Sequence, residues 1–329
     1  MPLVLTRSDL TGLVTPAQVV EAVEHAFADL ADGAAAQAPL TVAAVDDGAH
    51  FLPMTAVSPR AGLAGSKLLA DVPGNRARGL PAQRSVLVLA DASDGAPVAV
   101  LDGGLPTRLR TAAASAVATR HLARDDARVL GLVGAGGLAL EHVSAIAEVR
   151  PIEHVLVWSR SAETVRAFAE QTAERHPHLK VTRVDTPASA VGSADVVCTL
   201  TPSREPVVRG AWFHPGLHVN VVGAPPRPDH REVDGEAMAR SRVVVDSVST
   251  ALHESGDTLL AIAEGAIDES ACRLELGDVI TGRAPGRRTA DEVTLFDSVG
   301  LGILDVVIGR LLVDAARAAG RGLSVELSA

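Results

Sequence analysis

Apolar residues recur along this chain in two rhythms. Between Thr41 and Val100 they come as short runs broken by turns: Thr41–Val45, His50–Met54, Gly62–Leu69, Ser85–Leu89 and Pro97–Leu101. Asp94-Gly95 separates the last two, and Asp-Gly between apolar runs is a strong hairpin signal. This stretch predicts an antiparallel sheet, with Asp71–Gly79 as a polar loop. Ahead of it, Thr15-Pro16 reads as the cap and first residue of a helix carrying Val19, Val20, Val23, Phe27 and Leu30 at helical spacing. Behind it, the Ala-rich stretch Thr107–Ala123 predicts another helix. From Val129 the rhythm becomes strand and helix in alternation. Strands are expected at Val129–Val133, His154–Trp158, Leu179–Val184, Ala194–Leu200, Leu217–Val222 and Arg242–Asp246. Helices are expected at Leu138–Val149 and Ala162–His176, and such alternation implies a parallel, doubly wound sheet. Glu292–Ala319 closes the chain with a long apolar helix, Leu301–Ala318, expected to return to the first domain.

Between the strand Val129–Val133 and the helix after it stands Gly134-Ala135-Gly136-Gly137. Gly134 permits a tight turn, Gly136 lets a pyrophosphate approach the backbone, and the helix N-terminus offers it free N–H groups. Strand, glycine turn, helix and second strand at these lengths predict a dinucleotide site of the Rossmann type. Enzymes that prefer NAD usually place an acid at the end of the second strand to grip the ribose 2′-OH. No carboxylate lies between His154 and Ala162, and the strand ends Trp158-Ser159-Arg160. Arg160 suits a 2′-phosphate, so NADP(H) is the expected coenzyme with NAD(H) second; the alternative is a solvated surface Arg.

The fold class expected is therefore α/β: a Rossmann doubly wound parallel sheet plus an α+β substrate and dimerisation domain built from both chain ends. The domains expected are 1–118, 119–300 for the nucleotide, and 301–329 as the returning helix. At 329 residues, with 47% hydrophobic and 21% charged residues, the chain can bury sizeable cores. A net charge of −10 argues against a nucleic-acid partner. No apolar run approaches the ~20 residues that span a bilayer. The N-terminus lacks a basic, then apolar, leader pattern, so a cytoplasmic protein is expected. Cys198 and Cys272 form no framework, and Cys198 within an apolar run reads as a buried, reduced residue. No HExxH or CxxC spacing points to a metal. The chain has no Tyr, which excludes the short-chain dehydrogenases, whose chemistry needs one.

Lys67 sits in the apolar run Gly62–Leu69, where an ammonium is costly unless its head reaches a site or a partner. It is either a substrate ligand or a snorkelling edge residue. Arg110 precedes Thr111-Ala112-Ala113-Ala114-Ser115 on a helix small enough to pack closely. It is either a bidentate carboxylate clamp or a surface charge. Asp229 lies beyond the strand Leu217–Val222, where open α/β sheets bind ligands, and could contact one or cap a helix.

Lys67, Asp102-Gly103, Arg110-Thr111-Ala112-Ala113-Ala114-Ser115-Ala116 and the glycine turn together resemble the ornithine cyclodeaminase/μ-crystallin family. The likeness continues through Arg150-Pro151-Ile152, Val157-Trp158-Ser159-Arg160, Ser193-Ala194-Asp195-Val196-Val197, Pro215-Gly216, Glu254-Ser255-Gly256-Asp257 and Ser298-Val299-Gly300. The resemblance implies a homodimer joined through its first-domain sheets and an amino- or imino-acid substrate. It implies that Lys67 and Arg110 hold the substrate carboxylate, with Met54 beside them, and that Lys67, Arg110 and Asp229 carry the chemistry. It implies cofactor contacts at Thr111, Gly134, Gly136, Gly137, Ser159, Arg160, Thr199 and Ser298.

Departures narrow the activity that the resemblance implies. Cyclodeaminases carry an acid where this chain has Pro225, and Asp229 instead matches the Arg-Pro-Asp-x-Arg-Glu pattern of reductase-like members. Ornithine binders carry an Arg at the place of Leu40 and a Glu near Leu52, and the usual Gln after the glycine turn is Leu138. The expected activity is reduction of an α-imino acid, ketimine or cyclic imine, or the reverse amino-acid dehydrogenation. The alternatives are an ornithine or lysine cyclodeaminase and a μ-crystallin-like NADP-dependent small-ligand binding protein.

Overall fold

A computed structural model describes residues 1–45 and 48–327. The chain forms two compact units, Met1–Arg110 with Leu301–Ala329, and Thr111–Gly300.

In the first unit, β1 (Leu3–Leu5) leads to α1 (Pro16–Ala31), then to β2 (Ala36–Gln37) and β3 (Ala43–Ala44). Four longer strands follow: β4 (His50–Ser58), β5 (Leu63–Asp71), β6 (Gln83–Asp91) and β7 (Pro97–Asp102). Helix α1 starts where the sequence places it. The Thr15 side chain accepts from Gln18 N while Gln18 Oε1 accepts from Thr15 N at 2.9 Å, and Pro16 opens the helix. The sheet runs in the order terminal strand (Leu323–Ser324), β1, β7, β6, β5, β4, β2, with β3 also on β4. Strands β4 to β7 form the expected antiparallel meander, whereas β1 lies parallel to β7. Asp94 Oδ1 accepts from Ala96 N at 2.8 Å and Gly95 takes φ +76°, closing the β6–β7 turn. Within 71–79 the expected loop contains a 3₁₀ helix, Pro73–Arg78, fastened by Asn75 Nδ2 donating to Pro81 O at 2.9 Å.

Strict alternation buries Leu52, Met54, Ala56 and Ser58 of β4 on one face. The C-terminal helix (Gly302–Ala318) packs against β4, β5, β6 and α1. Gly302 allows its close approach, since a Cβ there would lie 3.0 Å from the Met54 carbonyl carbon. The other side of the sheet exposes Phe51, Val57, Leu68, Val86 and Val88.

Helix α2 (Gly104–Leu122) contains the division between the units, after Arg110. The expected boundary at 118 falls in the same helix, because a uniform Ala-rich pattern marks its end and not its middle. In the second unit come β8 (Val129–Val133), α3 (Gly137–Ala147), β9 (His154–Trp158), α4 (Ala162–Arg175) and β10 (Lys180–Arg183). Then follow β11 (Val196–Thr199), β12 (His218–Val221), β13 (Arg242–Val245), α5 (Gly256–Ala263) and β14 (Thr294–Asp297). The order β10-β9-β8-β11-β12-β14-β13 is parallel throughout, as the alternation predicts. Strand β14, which the hydrophobic pattern does not separate from the terminal helix, inserts between β12 and β13. Its core holds Val219, Val221, Val243, Val245 and Leu295. Arg150 ends α2 by donating to the carbonyls of Arg120, Ala123 and Arg124 at 2.8–3.0 Å, which gives the Arg-Pro pair a structural part.

Cys198 and Cys272 are free and buried. Among the described residues no helix is long and apolar enough to cross a membrane, and no cluster of His, Cys, Asp or Glu could hold a metal ion.

Candidate active site

In the first unit the sheet and the C-terminal helix bring three charges together inside the protein. Lys67, in the middle of β5, points to the covered face and is 0% exposed. Its Nζ lies 2.7 Å from Asp305 Oδ2, on the first turn of the C-terminal helix. Arg110 Nε lies 3.6 Å from Asp305 Oδ1, and both residues are buried. Met54 stands directly across from Lys67 in the β4–β5 pairing, on the same face as Leu52. Of the residues singled out from the sequence, Met54 lies across from Lys67, and Lys67 and Arg110 both reach Asp305, a residue that sequence reasoning missed. The one available signal was a single carboxylate among Gly302-Ile303-Leu304 and Val306-Val307-Ile308, a position that a purely structural helix fills with an apolar residue.

The physics of the cluster is that of two cations sharing one acid. Burial pushes the Lys67 ammonium down to about 8; Asp305 pulls it back up and Arg110 presses it lower. Arg110 Nε has no hydrogen-bond partner, although a buried guanidinium N–H ordinarily finds one. An unpartnered donor beside an excess positive charge suits a carboxylate.

In the second unit the glycine turn has the form a dinucleotide needs. Gly134 takes φ +119°, its N–H donates to Trp158 O at 2.8 Å, and Gly136 becomes the cap of α3 with no side chain closing the helix end. A Cβ at Gly136 would meet only open space, so the helix N–H groups stay approachable. A cavity of about 180 Å³ adjoins Ala135, Gly136 and Gly137 and reaches Thr164 and Phe168 of α4. Behind the turn, His142 is buried and pushed down to about 4, so it is neutral. Its Nδ1 donates to Leu138 O and its Nε2 accepts from Ser115 Oγ, each at 2.9 Å, pinning α3 to the Thr111–Ser115 turn of α2. These residues fit a dinucleotide.

The remaining candidates lie in the same unit. Thr111 is buried. Ser159 and the exposed Arg160 follow β9, just before Ser161 caps α4. Thr199 ends β11 and is 0% exposed, with its hydroxyl donating to Glu232 Oε2 at 2.7 Å. Ser298 follows β14 and donates to Asp246 Oδ2 at 2.7 Å. Both hydroxyls are thus committed within the protein. Asp229 is largely exposed, paired with His230 Nδ1 at 2.9 Å and near Arg204 at 3.7 Å. Slight burial raises its carboxyl, but the His230 hydrogen bond and the Arg204 charge hold it below the usual range. Held below that range, it is an ionised acid and a weak base at neutral pH.

A sequence profile described as the ornithine cyclodeaminase/mu-crystallin family matches residues 1–320. The structure of Thermococcus litoralis Delta(1)-pyrroline-2-carboxylate reductase in complex with NADH and L-proline is similar at TM-score 0.94 and 36% identity, covering 98% of this chain and 100% of that one. An archaeal alanine dehydrogenase dimer with bound NAD is similar at TM-score 0.92 and 30% identity, covering 99% of each chain. The ketimine reductase mu-crystallin of Rattus norvegicus is 35% identical over 297 residues, 90% of each chain.

Proposed function

The chain belongs to the ornithine cyclodeaminase/mu-crystallin family, and from that premise we propose that it is an NAD(P)H-dependent oxidoreductase that reduces an α-imino acid to an amino acid, or runs the reverse. One observation carries the reading: Lys67 and Arg110 share the single carboxylate of Asp305 in a buried cluster. A substrate carboxylate neutralises the excess charge. Arg110 clamps it with its guanidinium fork. Lys67, held near 8, is protonated at neutral pH and still gives up its proton readily, so it protonates the nascent amine or steadies the carboxylate. Asp305 keeps both cations in place. The coenzyme, when bound, supplies the hydride.

For the coenzyme we favour NADP(H) over NAD(H). The support is Arg160, exposed after β9, with no carboxylate between His154 and Ala162. The two solved relatives are seen with NADH and with NAD, so both coenzymes belong in the titration. For assembly we favour a homodimer formed through the first unit. Pro53, Leu68 and Val86 pair in one row across β4, β5 and β6, beside the exposed Phe51, Val57 and Val88. An apolar sheet face of this kind is rarely left to water. Light scattering is expected to give twice the chain mass.

The deciding assay follows NADPH consumption with pyrroline-2-carboxylate, and with pyruvate plus an amine, against ornithine with catalytic NAD⁺. Turnover of the imines and little proline from ornithine is expected, because Pro225 cannot accept a proton and Asp229, four residues further on, is engaged by His230 and Arg204, which lower its basicity. Ready release of ammonia and proline would replace this reading with cyclodeamination. Coenzyme binding without turnover of any imine would point to a binding protein.

A further inference from the structure

Glu232 has no part in the chemistry above, yet it is 0% exposed. Its Oε2 accepts from Thr199 Oγ1 and Gly223 N, each at 2.7 Å. Its Oε1 accepts from Thr201 N at 2.5 Å and Thr201 Oγ1 at 2.7 Å. These donors lie at the end of β11 and in the loops that leave β11 and β12, next to β8 in the sheet. The loops are pressed together: a Cβ at Gly223 would collide with the backbone of Leu200 and Thr201. Leu200 O in turn lies 2.8 Å from where a Cβ of Gly134 would sit. One carboxylate thus ties down the backbone that lies against the coenzyme turn.

We propose that Glu232 is a positioning residue for the coenzyme: as an anion it locks the loops after β11 and β12 against the Gly134 turn, and dinucleotide affinity depends on that lock. The inference rests on the second unit binding a dinucleotide and is independent of which imino acid is reduced. The donor set explains the requirement. Four N–H and O–H groups converge on the two oxygens, and only an ionised carboxylate is acceptor alone. A protonated acid or an amide turns a donor toward at least one of them and leaves it unsatisfied in the interior.

The surroundings make the anion sensitive to pH. Burial pushes Glu232 up to about 6, against the hydrogen bonds from Thr199, Thr201 and Gly223 that hold it down. The titratable groups that face it are the Cys198 thiol on β11 and Asp257 on α5. Asp257 Oδ1 accepts from Glu232 N and Val233 N at 2.8 Å, and its own carboxyl is raised by burial, by Asp297 and by Glu232.

The test is direct titration of the full-length protein with NADPH and with NADH, with no imino acid present. Glu232→Gln is expected to raise the Kd of the preferred coenzyme about tenfold or more, the effect of hydrogen bonds to a charged group. At saturating coenzyme, kcat and the substrate KM should move less than about threefold, since the variant touches neither Lys67 nor Arg110. Thr201→Val, which removes one hydroxyl donor and keeps the acid, should weaken binding in the same direction by less. In the unaltered protein, affinity for NADH, which lacks the 2′-phosphate that itself titrates near 6, should fall as pH drops through about 6, and Glu232→Gln should abolish that inflection. An acid raised by folding adds stability toward low pH and loses it as pH rises through its folded value, so the loss of affinity on acidification runs against this group's effect on stability. Unchanged affinity in both variants, or the same inflection in Glu232→Gln, would overturn the proposal. An unaltered protein that binds neither coenzyme would overturn the dinucleotide reading beneath it, a separately visible result.

Discussion

Lys67, Arg110 and Asp305 are full charges drawn from three elements that are far apart in the chain: β5, α2 and the C-terminal helix. Gly134, Gly136 and Gly137 belong to one continuous turn, and on the proposed reading they would act through backbone N–H groups. The first unit buries ions that water would solvate better, whereas the second presents dipoles that a helix end leaves free anyway. Buried ions pay a desolvation cost that only mutual compensation offsets, so removing one partner is severe. Backbone donors carry no such penalty, and a change near them should alter affinity more than rate. Each unit can therefore be tested by what its damage leaves intact.

The largest effect is expected from Lys67→Met. Loss of a positioned proton donor should lower kcat for imine reduction about 10²–10⁴-fold, while the coenzyme Kd stays within about threefold of the parent value. Steady-state rates with parallel coenzyme titration check this, and an equal fall in coenzyme affinity would break the separation. Asp305→Asn comes next. It leaves two buried cations facing each other and should destabilise the protein by about 3–5 kcal/mol in denaturant unfolding. The double variant with Lys67→Met should recover part of that loss, because one of the two cations is then gone.

Arg160→Ala tests the second unit. Loss of a charge-assisted contact should weaken NADPH by about 1.5–3 kcal/mol and leave NADH nearly unchanged, read by calorimetric titration. Equal affinity of the unaltered protein for both coenzymes would refute the NADP(H) preference. The smallest effect is the pH dependence of the first unit. Lys67 must be protonated to donate, so imine reduction should decline as pH rises past about 8 and amino-acid oxidation should gain over the same range. The sign is that of a base whose folded value is lowered: the fold favours the neutral amine, and stability from this group grows with rising pH. A reduction rate that stays flat across that window would remove Lys67 as the donor.

What could be read from residues alone was whatever is local. The βαβ unit, with β8 and β9 at their expected bounds, follows from glycines and apolar runs adjacent in the chain. The meander was legible because alternation and an Asp-Gly turn are neighbourly signals, although its strands extend past their apolar cores where cross-strand partners continue the ladder. Strand β14 was not legible: Thr294–Asp297 is too short for a period and becomes a strand only because β12 and β13 flank it. On the functional side Asp305 was missed, and Glu232 entered only as the last residue of the Arg-Pro-Asp-x-Arg-Glu pattern with no role of its own, for the same reason. A lone acid in an apolar helix has no sequence neighbour that betrays its role, and a motif that ends on an acid does not say which donors that acid will meet. Lys67 stands on a strand 238 positions before Asp305 by their numbering (305 − 67), and Glu232 meets Thr199, Thr201 and Gly223 only where parallel strands end side by side. Periodicity and turn chemistry act over a few residues, and so the sequence by itself determined most of the elements and the glycine turn after β8. Which buried charges compensate one another is settled by distance in space, and that only the tertiary structure decided.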